Sequence, residues 1–220
     1  MSKDFQLIIP VAGPNYDFEK FNNHKLLIDI NDKKLVKWVQ VSRPYNLSDG
    51  IFIFQKRYNN KYDLINKISK ILGKKIRYFI LNNYTAGAPQ SVLRIKNEID
   101  LKKPLFIDLL DQYIDFKNFF KFCLKNNFDG CVPIFQSLYF NRGYAKIDKQ
   151  KYITKISEKD PKPISTNSTA CVSYFREAKF FFENAELMIK KKILSSNGKY
   201  MISLVYNEMI KKNYKIKSYD

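Results

Sequence analysis

Through the first 135 residues, apolar runs of six to eight residues alternate with stretches whose apolar positions recur every three or four residues. FQLIIPVA (5–12), GIFIFQ (50–55), IRYFIL (76–81), PLFIDLL (104–110) and GCVPIF (130–135) have the length and the β-branched or aromatic content of buried strands. Between them, KKLVKWVQVS (33–42), NKYDLINKISKIL (60–72), APQSVLRIKNEI (88–99) and FKNFFKFCLKN (116–126) read as helices, the second with Leu64, Ile68 and Leu72 on one stripe. Strands of this kind alternating with amphipathic helices predict an α/β fold, a mainly parallel central sheet with helices on both faces. Ligands of such a sheet bind beyond the C-terminal ends of its strands.

After residue 135 the rhythm changes. YAKID (144–148), YITKIS (152–157) and TACVSYF (169–175) are short strand-like pieces between polar turns. Two helices follow at 177–191 and 200–212, with Phe181, Ala185 and Met188 aligned on the first and Met201, Leu204, Val205 and Met209 on the second. YKIKSY (214–219) reads as a closing strand. With no repeat, low-complexity tract or linker, residues 1–220 are expected to form a single domain whose rhythm divides it into halves 1–135 and 136–220.

Composition narrows the classes. The net charge of +18 invites a nucleic-acid reading, but residues 1–110 hold 19 Lys/Arg against 10 Asp/Glu and residues 111–220 hold 20 against 11. An even excess describes a lysine-rich surface that attracts anionic substrates, whereas nucleic-acid binders concentrate charge on one face or tail. No nucleic-acid partner is expected, and no apolar run is long enough for a membrane span. The N-terminus has no long apolar segment or small-residue cleavage site. Cys123, Cys131 and Cys171 are widely spaced, odd in number and without a CxxC, which reads as reduced, buried thiols of a cytoplasmic protein.

Six segments, in order, resemble the sugar-phosphate nucleotidyltransferases. IIPVAG stands where that family has its opening strand and Ala-Gly, and HKLLIDINDKKLVKWV where it has its lysine segment and following helix. TAGAPQSVL resembles the base-side loop and helix, and PLFIDLLDQYIDF the metal-aspartate strand. YAKIDKQKYITKISEKDPKPISTNSTACVSYF resembles the sugar-side strands with their Glu-Lys pair, and NGKYMISLVYNEMIKKNYKI the penultimate helix and strand. The resemblance implies the glycosyltransferase-A-like nucleotidyltransferase fold, with 1–135 as a nucleotide-binding half and 136–220 as an acceptor-side half, and, most closely, the branch that activates sugars for surface polysaccharides.

Each implied site residue also has a plainer reading. Backbone N–H groups at Ala12 and Gly13 could cradle a phosphate, or Gly13 could only make a turn. Lys25 could meet a phosphate oxygen as a point charge, or be one surface lysine among many. Asp111 ends an apolar strand and could supply a magnesium carboxylate, or cap the next turn. Asp108, three residues earlier, should face the other way. Gly87 could let a base or ribose lie on the backbone, or belong to a helix start. Glu158 and Lys159 are acceptor-binding by resemblance, gripping a sugar hydroxyl and the acceptor phosphate; alone they read as surface. His24, the only histidine, reads as a loop residue without a catalytic role.

The loop after the first strand departs from the family. Asn15 stands at its second glycine and Asp17 at its arginine. An active enzyme would need a nearby lysine or Arg43 as the missing cation, and exchanging Asn15→Gly with Asp17→Arg would be expected to raise activity. The expected function is nucleotidyl transfer from a nucleoside triphosphate to a sugar phosphate or similar acceptor, with Mg2+ as cofactor. The alternatives are a non-catalytic nucleotide or nucleotide-sugar binding module and a polyanion binder. Homo-oligomerisation is left open.

Overall fold

The computed structural model describes residues 5–220; residues 1–4, which begin the segment read above for a leader, lie outside the described residues. Strand β1 (Gln6–Pro10) leads through a one-turn helix α1 (Tyr16–Glu19) to a small antiparallel pair, β2 (Asp29–Ile30) and β3 (Lys33–Lys34), and to α2 (Leu35–Val41). Then come β4 (Ile51–Gln55), α3 (Lys56–Tyr62), α4 (Leu64–Leu72), β5 (Arg77–Leu81), α5 (Ala88–Leu93), β6 (Leu105–Asp108) and α6 (Lys117–Lys125). The second half holds β7 (Gly130–Gln136), β8 (Gly143–Ile147), β9 (Ile153–Glu158), β10 (Asn167–Thr169), β11 (Val172–Phe175), α7 (Ala178–Lys190), α8 (Ile202–Ile210) and β12 (Ile216–Tyr219).

A ten-stranded sheet runs through both halves in the order β5-β4-β1-β6-β11-β7-β10-β8-β9, with β12 parallel to β7. The parallel core is β5, β4, β1 and β6. β11 runs antiparallel between β6 and β7, and the rest of the path is antiparallel. Strand alternation divides the core in two. Leu7, Ile9, Phe52, Phe54 and Phe106 face α2, α3, α4 and α6, while Ile8, Ile51, Ile53, Leu105 and Ile107 face α5, α7 and α8. Burying both faces explains why these strands read as continuous apolar runs.

Local chemistry redraws several boundaries. The helix expected over 60–72 starts earlier and is broken at Asp63, whose φ of 54° belongs to the left-handed region. Asn59 holds the break: its carbonyl accepts from the Asp63 N–H and its side chain from Ile65 N–H at 3.1 Å. The break lets Tyr58 and Tyr62 bury on one side and Leu64 and Ile68 on the other. The helix expected over 88–99 ends as α5 and continues only as a 3-10 turn at Lys96–Glu98. In the lysine segment, Lys25–Leu27 forms a 3-10 turn capped by His24. Residues 169–175 divide between β10 and β11. No described helix is long and apolar enough to cross a membrane.

Candidate functional site

Two clefts open beyond the C-terminal ends of the parallel strands. One, of about 220 Å³, is lined by Ala12, Gly13, Lys25, Gly87 and Lys199. The other, of about 320 Å³, is lined by Tyr139, Arg142, Glu158, Lys159 and Thr169. Leu109, Asp111 and Met201 line both. The structure therefore brings together Ala12, Gly13, Lys25 and Gly87 on one side, Glu158 and Lys159 on the other, and puts Asp111 where the two meet.

On the first side, the N–H groups of Ala12 and Gly13 meet no acceptor among the described residues, and a Cβ on Gly13 would touch nothing within 4 Å. Open space above two free donors can take an oxyanion. Gly87 has φ 152°, and a Cβ there would collide with the Tyr200 carbonyl. Its lack of a side chain is thus required by the chain's own Lys199–Tyr200 segment, which Tyr200 N–H ties to Ala86 O at 2.9 Å.

Asn15, which stands where the sequence resemblance would put a second glycine, is buried and fastens the loop. Its backbone N–H donates to Tyr58 Oη at 3.0 Å, its Nδ2 to Asn23 O at 2.7 Å, and its Oδ1 accepts from Lys25 N–H at 3.0 Å. Asn15→Gly would remove two of these three bonds, so the exchange expected to repair the loop instead unfastens Lys25. Asp17 is exposed on α1 and lines neither cleft, so its carboxylate is not aimed at a ligand there.

His24 is buried against Tyr58 and Tyr62, and its Nδ1 accepts from Leu26 N–H at 3.3 Å. Burial, with the Lys25 charge second, lowers its pKa from 6.5 to about 3. The unfolded chain binds this proton more tightly, so the neutral ring contributes stability above about pH 6.5 that is lost as pH falls toward 3. His24→Asn keeps a capping acceptor but no titration. We expect wild type to lose about 3 kcal/mol more than this variant between pH 7 and pH 4, read from urea midpoints. An equal loss in both proteins would show that His24 does not titrate as described.

Asp111 is exposed on the loop after β6, and that loop is held from behind. Asp108 faces the opposite way, as strand alternation predicts, into a fully buried ion pair with Arg43: Nε–Oδ2 is 2.6 Å and Nη2–Oδ1 is 3.2 Å. Tyr45 Oη donates to Asp108 at 2.8 Å, and Asp108 Oδ1 accepts from Leu110 N–H at 3.0 Å, fixing Leu110 at φ 55°. Arg43 also donates to Gln112 O and Ile114 O and stacks on Phe116. Arg43 thus lines neither cleft and is not the additional cation expected beside the first loop. The lysine that does line the first cleft besides Lys25 is Lys199, which no local motif singled out.

On the second side, Glu158 is buried and accepts from the Ser203 hydroxyl. Burial raises its pKa against the pull of Ser203 and Lys159, and Asp111 adds to the rise. A Cβ on Gly143 would strike the Glu158 carboxylate, so the glycine keeps β8 against β9 at this point. Lys159, at φ 58°, donates from Nζ to Asn141 O at 2.7 Å. The Cys171 sulfur accepts from Arg43 Nη2 at 3.5 Å; burial, then the carboxylates of Asp108 and Asp111, push its pKa well up, so it stays protonated.

A magnesium ion takes one or two carboxylates and completes its shell with phosphate oxygens and water. No group of three His, Cys, Asp or Glu forms a cage among the described residues. Asp111, without a cationic partner among them, fits the first of those requirements.

No family model matches the sequence, and no curated protein sequence matches it. Solved structures do match in fold. The chain is similar to a nucleoside-diphosphate-sugar pyrophosphorylase from Vibrio cholerae RC9 at TM-score 0.78 and 19% identity, over 97% of this chain and 91% of that one. It is similar to a UDP-glucose pyrophosphorylase complexed with UDP-glucose at TM-score 0.71 and 15% identity, over 98% and 90%. It is also similar to the inositol-1-phosphate CTP transferase from T. maritima at TM-score 0.69 and 12% identity, over 98% and 84%. The α/β sheet with its parallel core is a nucleotidyltransferase-like fold.

Proposed function

Proceeding from that fold, we propose that this protein is a nucleotidyltransferase, a single domain that moves a nucleotidyl group from a nucleoside triphosphate to a sugar phosphate or similar acceptor. The observation that carries this reading is Asp111 at the junction of two clefts, since a group transferred between two bound substrates must cross where their sites meet. An acceptor phosphate oxygen attacks the α-phosphorus, the bond from that phosphorus to the β-bridging oxygen breaks in line, and pyrophosphate leaves with the electron pair.

In this reading the Ala12 and Gly13 N–H groups and the Lys25 and Lys199 ammonium groups hold the triphosphate, and Lys199 supplies charge that the family's arginine would bring. Gly87 shapes the wall on which the nucleoside rests. Glu158, with Ser203 holding one carboxylate oxygen, takes a sugar hydroxyl, and Lys159 faces the acceptor phosphate. Mg2+ would be held by Asp111 and substrate phosphate oxygens, where it would offset the charge gathered at the reacting centre. The product would be a nucleotide-sugar for surface polysaccharide synthesis in the cytoplasm.

The test is a thermal-shift screen against CTP, UTP, GTP, ATP and dTTP with magnesium, followed by pyrophosphate release with a panel of sugar 1-phosphates. One nucleotide at 100 times its Kd is expected to add about 2.7 kcal/mol of stability. Binding without pyrophosphate release from any acceptor would make the protein a nucleotide-binding module instead. No nucleotide binding at all would end both readings.

A further inference from the structure

The acceptor-side cleft contains a cation that makes no ion pair with the described residues. Arg142 begins the turn into β8, and its guanidinium carbon lies 5.3 Å from the Phe135 ring centroid and 5.7 Å from that of Tyr139. Its Nε is shut off from solvent yet has no hydrogen-bond partner. Among the described residues it makes no ion pair. Of the carboxylates lining the same cleft, Glu158 takes the Ser203 hydroxyl and Asp111 is exposed, and neither forms an ion pair among the described residues. Its own backbone is fixed, because Arg142 O accepts from Lys159 N–H at 3.0 Å, next to the bond from Lys159 Nζ to Asn141 O.

A shielded guanidinium donor left without an acceptor is rare in folded proteins and calls for an explanation. Two aromatic rings within about 6 Å of its central carbon restrict where the guanidinium can go, and its fork, at the edge of a solvent-filled cleft, suits a planar or tetrahedral oxyanion. We propose that Arg142 binds an oxyanion of the acceptor, making it a specificity-determining residue of the acceptor-side cleft. This rests on the reading of that cleft as the acceptor site. The chemistry is the same whether the oxyanion is the reacting phosphate or a second acidic group on the acceptor. The sequence offers no sign of it, since NRGYAKID matches no binding motif and Phe135, whose ring helps hold the guanidinium, lies seven residues upstream.

The experiment compares wild type with Arg142→Met, which keeps the stem over the rings and removes every donor, and Arg142→Lys, which keeps the charge and loses the fork. Calorimetric titration would use inorganic phosphate, glucose 1-phosphate and glucuronic acid 1-phosphate, with a nucleoside triphosphate as the fold control. We expect Arg142→Met to weaken at least one phosphorylated probe by roughly 10- to 150-fold, with Arg142→Lys in between and nucleotide binding unchanged. Equal weakening of all three probes assigns the oxyanion to the phosphate; weakening of glucuronic acid 1-phosphate alone assigns it to a second acid. Probes that bind Arg142→Met within threefold of wild type, or that do not bind wild type, overturn the proposal. Pyrophosphate release in the same samples keeps the two readings apart. Arg142-dependent binding without release sinks the transfer reading alone, and release indifferent to Arg142 sinks this one alone.

Discussion

Asp111→Asn is expected to lower magnesium-dependent pyrophosphate release by about 100- to 1000-fold, with the folded state intact. The change removes one charge at nearly constant volume from an exposed side chain. None of the bonds that hold its loop passes through that carboxylate: the loop hangs on Arg43, on the Asp108–Leu110 bond and on Leu109 N–H to Cys171 O at 3.1 Å. Stability and circular dichroism should therefore match wild type while turnover collapses. Unchanged release from the variant would take Asp111 out of the chemistry, and with it the argument from the shared junction.

The largest effect on stability should come from Arg43→Met. Methionine fills much of the space but leaves the Asp108 carboxylate buried without its cation, holding only the Tyr45 hydroxyl and the Leu110 N–H. Removing one partner of a buried pair costs about 3–5 kcal/mol. For a chain of this size that is a fall in Tm of roughly 6–20 °C. The double variant Arg43→Met, Asp108→Leu strands no charge and should recover a large part of the loss. Chemical denaturation of all three proteins checks this. A loss below about 1 kcal/mol in the single variant would mean that the pair is not desolvated as the structure shows.

Much of this was readable from residues alone. Isoleucine and phenylalanine runs bounded by polar helices announced the parallel core, and Asp111 drew attention because a carboxylate closing an apolar strand has no packing purpose. What escaped the sequence depends on partners far apart in it. Arg43 and Asp108 meet across 65 positions, so Arg43 looked like a spare cation and is instead sealed behind the loop it supports. Asn15 looked like a damaged glycine, since only the folded loop shows Asn23 and Lys25 bonded to its side chain. β11 was readable as a strand, but its place between β6 and β7 follows from pairing that no local pattern encodes. The break at Asp63 was missed for the opposite reason: its cause is local, an asparagine side chain competing for backbone, in a segment whose apolar period runs on regardless.

The contact between the Ala86–Gly87 turn and Tyr200 has a consequence for how the protein is made. Lys199 and Met201 belong to the cleft walls, and Met201 to both, yet they leave the ribosome more than a hundred residues after Gly87. However early the parallel strands pair during synthesis, the wall of neither cleft is complete until residues 199–201 have emerged and folded back. The two clefts are therefore closed by one late event, the docking of residues 199–201 on the Ala86–Gly87 turn.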